Sequence, residues 1–270
     1  MKQREYNRAR EIFKFGLKQI PKEKAKKLYE VFLNFEKEFG SKDSIDEVIL
    51  GERRNHYKEL LSKNQLNYDA WLDLIFLEES FKNVEKVREV YEAAVQVIPP
   101  VEEKRFWRRY IYLWYNYAIF EEEVTEDLER TEKIYERALK LVPHKKFTFG
   151  KLWINFAHFY LRCGDLQKAR KTFGRSIGIF PKKKVFQAYI GLEEQLCQLD
   201  RVRALYEKYC EKFSSLPQPW IEYASFEMKL AENDRAKGIL EIASQLNIQG
   251  LPDPDEFVEN FQEDDDGNHG

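Results

Sequence analysis

VYEAAVQVIP, residues Val90–Pro99, returns forty-four residues later as IYERALKLVP, residues Ile134–Pro143. Extended upstream, both belong to one pattern. A first residue, often Ala or Val followed by Arg, leads to an aliphatic residue at +3, an aromatic at +4 and usually a small residue at +7. The pattern stands at Ala9-Arg10-Ile12-Phe13-Gly16, Val87-Arg88-Val90-Tyr91-Ala94 and Thr131-Ile134-Tyr135-Ala138. It continues at Ala169-Arg170-Thr172-Phe173-Ser176, Val202-Arg203-Leu205-Tyr206-Tyr209 and Ala236-Ile239-Leu240-Ala243, with a degenerate copy at Arg53-Arg54-His56-Tyr57-Leu60. Positions 0, +3, +4 and +7 share one face of an α-helix, so each copy is an amphipathic helix, here called B. Small residues at +7, such as Ala94 and Ala138, let a second helix approach closely. Pro21, Pro99, Pro143 and Pro181 follow four copies and end them.

A second pattern precedes each of the last six copies: an aromatic, apolar residues at +3 and +6, and usually Glu at +7. It reads Tyr29-Phe32-Phe35-Glu36, Trp71-Leu74-Leu77-Glu78, Trp114-Tyr117-Phe120-Glu121, Trp153-Phe156-Phe159-Tyr160, Phe186-Tyr189-Leu192-Glu193 and Trp220-Tyr223-Phe226-Glu227. The leading aromatics are 42, 43, 39, 33 and 34 residues apart. The repeat is therefore a helix A, a turn and a helix B, near 34 residues with insertions early on. Cys163-Gly164-Asp165 reads as one of the A–B turns. The expected fold is all-α: a right-handed superhelical α-solenoid of antiparallel helix pairs over residues 1–247, with about six full repeats after an N-terminal half repeat. Residues 248–270, with the acidic run Glu263-Asp264-Asp265-Asp266, are expected to form an unstructured, solvated tail.

Composition agrees with a folded, helical chain. Of 270 residues, 43% are hydrophobic, 15% aromatic and 34% charged, and only 12 Gly and 9 Pro interrupt them. The formal net charge of −2 gives no global field for nucleic acid, though local patches remain open. Cys163, Cys197 and Cys210 are odd in number and form no CxxC, which fits a reducing compartment rather than a disulfide framework. The charged start MKQREYNRAREIF is no secretory signal, and no apolar run has the length of a membrane helix.

The repeating aromatics, Trp71, Trp114, Trp153 and Trp220 in helix A with Tyr91, Tyr135, Phe173 and Tyr206 in helix B, read as packing residues. A cofactor site would not recur with the period, and no cofactor is expected. In RFWRRYIYLWYNYAIF, Arg105–Phe120, the residues Trp107, Tyr110, Trp114, Tyr117 and Phe120 fall at helical spacing. They read as a buried stripe flanked by Arg105, Arg108 and Arg109, in preference to a base-stacking platform. Five of six A helices carry Glu at +7, and six of seven B helices carry Arg or Lys at +1. An ion pair within or between repeats is one reading of this; charges solvated separately are the other.

The pairing of W-x-x-[YFL]-x-x-[FL]-E with A-R-x-[IV]-[YF]-E-x-A resembles the HAT (half-a-TPR) repeat. NYDAWLDLIFLEES (Asn67–Ser80), VREVYEAAVQVIPPVEEKRFWRRYIYLWYNYAIFEE (Val87–Glu122) and PHKKFTFGKLW (Pro143–Trp153) resemble the crooked neck family of pre-mRNA splicing factors. The resemblance runs from about residue 6 to residue 245. It implies a nuclear, non-catalytic scaffold whose partners are spliceosomal and NineTeen-complex proteins, and it leaves self-association open. Family members hold many more repeats. Because the array opens on a lone helix B that exposes Ile12, Phe13, Leu17 and Ile20 unless something covers them, the chain reads as a piece of a longer array rather than a shortened relative with its own caps.

No catalytic constellation emerges. His56, His144, His158 and His269 share no metal-ligand spacing, and neither GxxxxGK[ST], GxGxxG nor GxSxG occurs. One charge feature repeats: Lys22, Lys24, Lys26 and Lys27 after Pro21; His144, Lys145 and Lys146 after Pro143; Lys182, Lys183 and Lys184 after Pro181. These turns should fall along one edge. They read either as cations near helix C-termini, the preferred reading, or as a rail for snRNA or pre-mRNA phosphates or an acidic partner.

Overall fold

The computed structural model describes residues 5–20 and 22–266 and, among these, every side chain except those of residues 22–24 and 261–266. Pro21 and His269, and the side chains of Lys22, Lys24 and Glu263–Asp266, lie outside what is described. The described residues form α-helices with no strand. None of the described helices is long and apolar enough to cross a membrane. The chain divides into two compact units, Met1–Leu141 and Val142–Gly270.

The first unit holds α1 (Tyr6–Gln19), α2 (Lys22–Phe39), α3 (Lys42–Lys63), α4 (Tyr68–Ser80), α5 (Val84–Val95), α6 (Lys104–Ile119) and α7 (Leu128–Leu141). The second holds α8 (Gly150–Arg162), α9 (Leu166–Ile179), α10 (Lys183–Gln195), α11 (Leu199–Lys212), α12 (Pro217–Lys229), α13 (Asn233–Gln245) and α14 (Pro254–Asp266). Even-numbered helices up to α12 carry pattern A and odd-numbered ones pattern B. Within each unit every helix packs on the next, and the A helices α4 and α6, like α8 and α10, also touch. Short connections make successive helices antiparallel.

Local chemistry sets the helix ends. Asn67, Asn83 and Asp165 accept hydrogen bonds from the backbone N–H groups of Ala70, Lys86 and Lys168, and Ser41 with Ser44 forms a capping box. The A helices after α2 close in a left-handed residue: Lys82 (φ 55°), Glu126 (56°), Gly164 (77°), Cys197 (52°) and Ala231 (58°). In the second unit the N–H of the following residue reaches back to the helix carbonyl at pattern position +7, as from Asp165 to Tyr160, Gln198 to Glu193 and Glu232 to Glu227. After α6 the chain widens into a π-helical turn, Phe120–Val124, with Thr125 N–H donating to the Phe120 carbonyl.

Two expectations change. Phe13 and Leu17 on α1 are not bare: both pack against the α2 cluster of Ala25, Tyr29 and Phe32. Ile12 and Phe15, on the other side of α1, are 71% and 65% exposed. Second, part of the stretch read as an unstructured tail is the helix α14. Leu251, Phe257 and Val258 cover Ala224, Met228, Ala236 and Leu240 of the last A–B pair, apolar surface that water would otherwise meet. Asp253 accepts from the N–H groups of Asp255 and Glu256 and starts the helix, and Lys237 Nζ lies 2.5 Å from Asp255 Oδ1.

Candidate functional site

The recurring residues assemble one joint, used again and again between repeats. Arg at +1 of helix B grips Glu at +7 of the following helix A, fork on fork. Arg10 Nε and Nη2 lie 2.7 and 3.1 Å from the Glu36 oxygens. Arg88 meets Glu121 at 2.8 and 2.7 Å, Arg170 meets Glu193 at 2.7 and 2.6 Å, and Arg203 meets Glu227 at 2.8 and 2.9 Å. Arg54 and Glu78 make the same bidentate contact. The five carboxylates are at most 3% exposed. These are inter-repeat pairs, and they are not surface pairs; the guanidinium fork satisfies both oxygens of a carboxylate that burial would otherwise penalise.

Beside the rungs runs an aromatic ladder. Helix B position +4 stacks on position +3 of the next helix A: Phe13 on Phe32 (4.8 Å between centroids), Tyr91 on Tyr117 (4.7 Å), Phe173 on Tyr189 (5.0 Å) and Tyr206 on Tyr223 (5.1 Å). The small +7 residues Ala94 and Ala138 are buried, as are Tyr91, Tyr135, Phe173 and Tyr206. Trp114 and Trp153 are 1% exposed, whereas Trp71 and Trp220 are half-buried. In RFWRRYIYLWYNYAIF the five stripe residues are buried and Arg105, Arg108 and Arg109 are exposed. At one point the sequence changes residue types: helix B of α7 has Glu132 at +1 and helix A of α8 has Tyr160 at +7. The boundary between the two units, Leu141 to Val142, falls between these positions.

One rung in the first unit is elaborated. Glu121 also accepts from the Thr125 hydroxyl at 2.7 Å and lies 3.2 Å from Arg130 Nε. Arg130 reaches the Tyr117 hydroxyl, which donates to Glu92 at 2.9 Å; Glu92 takes both arms of Arg137. The Arg137 bonds hold the Glu92 carboxyl below its ordinary range. Burial pushes the Cys210 thiol up to about 12, so it is an inert core residue.

The lysine turns are placed as follows. Lys145 and Lys146 are exposed in the loop before α8, Lys182 and Lys183 are half-buried and Lys184 is exposed. A Cβ at Gly150, which opens α8, would lie 3.8 Å from Lys182 Cβ, so two turns far apart in sequence meet in the second unit. Lys182 Nζ sits 4.4 Å over the Phe180 ring. Lys26 and Lys27 are exposed on α2.

Sequence reading missed one surface. Phe76 on α4 and Tyr112 and Ile119 on α6 are 52%, 45% and 40% exposed, on adjacent A helices. Phe76 and Ile119 both stand five residues after their leading tryptophan, off the buried frame. That shared offset was the available signal.

Comparison with known proteins accords with this architecture. Residues 53–198 match the family model described as the pre-mRNA-splicing factor Syf1/CNRKL1 N-terminal HAT repeat. The pre-mRNA-splicing factor clf1 of Aspergillus fumigatus is 46% identical over 252 residues, which is 93% of this chain and 37% of that protein. Protein crooked neck of Drosophila melanogaster is 43% identical over 93% of this chain and 36% of its own length. Human crooked neck-like protein 1 is 47% identical over 88% of this chain and 28% of its own length. The chain thus spans only 28% to 37% of the length of these relatives. With 146 matched residues carrying the repeated Arg–Glu and aromatic joints, the chain belongs to the Syf1/CNRKL1 family of HAT-repeat pre-mRNA-splicing factors.

Proposed function

We propose that this chain is a non-catalytic, nuclear scaffold of pre-mRNA splicing that holds spliceosomal proteins, those of the NineTeen complex among them, in fixed relative positions. The observation that carries the reading is the repetition of one joint. Residue types that serve catalysis elsewhere, buried carboxylates with arginine and tyrosine, are spent here on seating each helix pair against the next. What is offered outward is surface. In the first unit that surface includes the exposed stripe of Phe76, Tyr112 and Ile119, and apolar side chains on a helical face suit an apolar segment of a partner protein.

The test is a pull-down of tagged chain from nuclear extract at two salt concentrations, with and without ribonuclease. The expected result is recovery of splicing proteins that survives ribonuclease. Recovery of chaperones or transport factors instead would favour a peptide-binding adaptor outside splicing and overturn the reading. Sedimentation of the purified chain over a concentration series separates self-association from partner capture.

A further inference from the structure

Residues 142–184 contain eight lysines and three arginines against a single acidic residue, Asp165, in a chain whose formal net charge is −2. Asp165 itself faces the start of α9, where it accepts from the Lys168 N–H at 2.8 Å. Of the eleven cations only Arg170 belongs to a rung of the inter-repeat ladder. The rest make residues 142–184 strongly positive in sequence.

The fold gathers much of this charge at one end. α8 and α10 both begin there, because Gly150 lies against Lys182. Lys145 and Lys146 stand on the loop that leads into α8, and Lys184 on the first turn of α10, all exposed. Arg175 of α9 is also exposed, with its guanidinium 4.9 Å over the Trp153 ring in the first turns of α8. The two helix N-termini add their positive dipole ends to these cations.

The surroundings decide what kind of anion fits. Protein interfaces have an apolar core, whereas nucleic-acid interfaces are polar and strongly positive. Between residues 142 and 184 the one large apolar side chain exposed is Ile179. No Phe, Tyr or Trp ring there is exposed for a base to stack on, the exposed His158 ring lies late in α8 away from this end, and the Phe180 ring is covered by the Lys182 ammonium. A surface of cations without apolar anchors or open rings recognises phosphate and not bases.

We infer that this end of the second unit binds RNA through its phosphodiester backbone, without sequence preference. The inference does not rest on which proteins the first unit holds. It is tested by fluorescence anisotropy of the full chain with a labelled oligouridine strand and a labelled RNA hairpin across a salt series. Binding should weaken linearly in log–log form with salt. The variant Lys145→Gln/Lys146→Gln/Lys184→Gln should lose at least tenfold in affinity. Its salt slope on the strand should flatten by about 0.7 for each phosphate contact removed. Arg108→Gln/Arg109→Gln in the first unit should leave both unchanged, and circular dichroism melts establish that the variants are folded. Unchanged binding in the lysine variant, or none at low salt, overturns the inference. Equal competition by polyglutamate of the same length assigns the surface to an acidic protein instead, and also overturns it.

Discussion

Glu193 is fully buried and receives both arms of Arg170, whose side chain is 13% exposed. Bringing this pair out of water offsets most of what its attraction contributes, so the pair is a modest source of stability. Removing one member is different, because it leaves a buried charge without its partner. Glu193→Ala should therefore cost about 3–5 kcal/mol in urea denaturation, while Arg170→Met/Glu193→Leu should recover most of that. Equal losses in the single and double variants would show that the site needs the charges for more than pairing. Titration adds a second handle. Hydrogen bonds from Arg10 hold the Glu36 carboxyl low, as those from Arg137 hold Glu92. A carboxyl with a depressed folded pKa adds stability above its unfolded pKa, about 4.3, and loses it as pH falls through the folded value. Melting temperature should drop between about pH 5 and 3, and less steeply in Glu36→Gln/Glu92→Gln. Glu79 has the opposite sign: burial raises it despite the Tyr91 hydroxyl, so Glu79→Gln should raise the melting temperature at pH 7.

At the scale of the element, the A–B turns separate what sequence conveys from what it conceals. Cys163-Gly164-Asp165 announces a turn because glycine adopts a positive φ freely and aspartate caps the next helix. Lys82, Cys197 and Ala231 take the same backbone conformation without the glycine, although Asn83 after Lys82 caps α5 as Asp165 caps α9. An L-residue in that conformation costs about 1–2 kcal/mol, and glycine returns about 0.4–1 kcal/mol of that to the unfolded chain. Ala231→Gly should thus stabilise by about 0.5–1 kcal/mol and Gly164→Ala should destabilise, both read as shifts in denaturation midpoint. The buried aromatics and the recurring Arg and Glu positions were legible because they recur at fixed offsets, but spacing alone left open whether those charges pair or are solvated separately. α14 was not legible, because Leu251, Phe257 and Val258 follow no repeat frame and the acidic run beyond them dominates its composition. Phe76, Tyr112 and Ile119 were hidden by the same logic: apolar residues in a chain this aromatic are assigned to the core unless helical phase is followed to the second face.

At the scale of the whole molecule, one chain presents two chemically distinct surfaces on two compact units, one aromatic and apolar on α4 and α6, the other cationic around the starts of α8 and α10. If each acts alone, their effects separate. Phe76→Glu/Tyr112→Glu places charge on the apolar stripe without touching a buried residue, so it should abolish ribonuclease-resistant capture of splicing proteins and leave RNA affinity intact. Lys145→Gln/Lys146→Gln/Lys184→Gln should do the reverse, leaving protein capture intact while RNA affinity falls and its salt dependence flattens. Running both variants in both assays yields four readings, and only the crossed pattern supports two independent surfaces. Loss of both activities in the first variant, with the chain still folded by circular dichroism, would mean that the apolar face of α4 and α6 itself takes part in binding RNA.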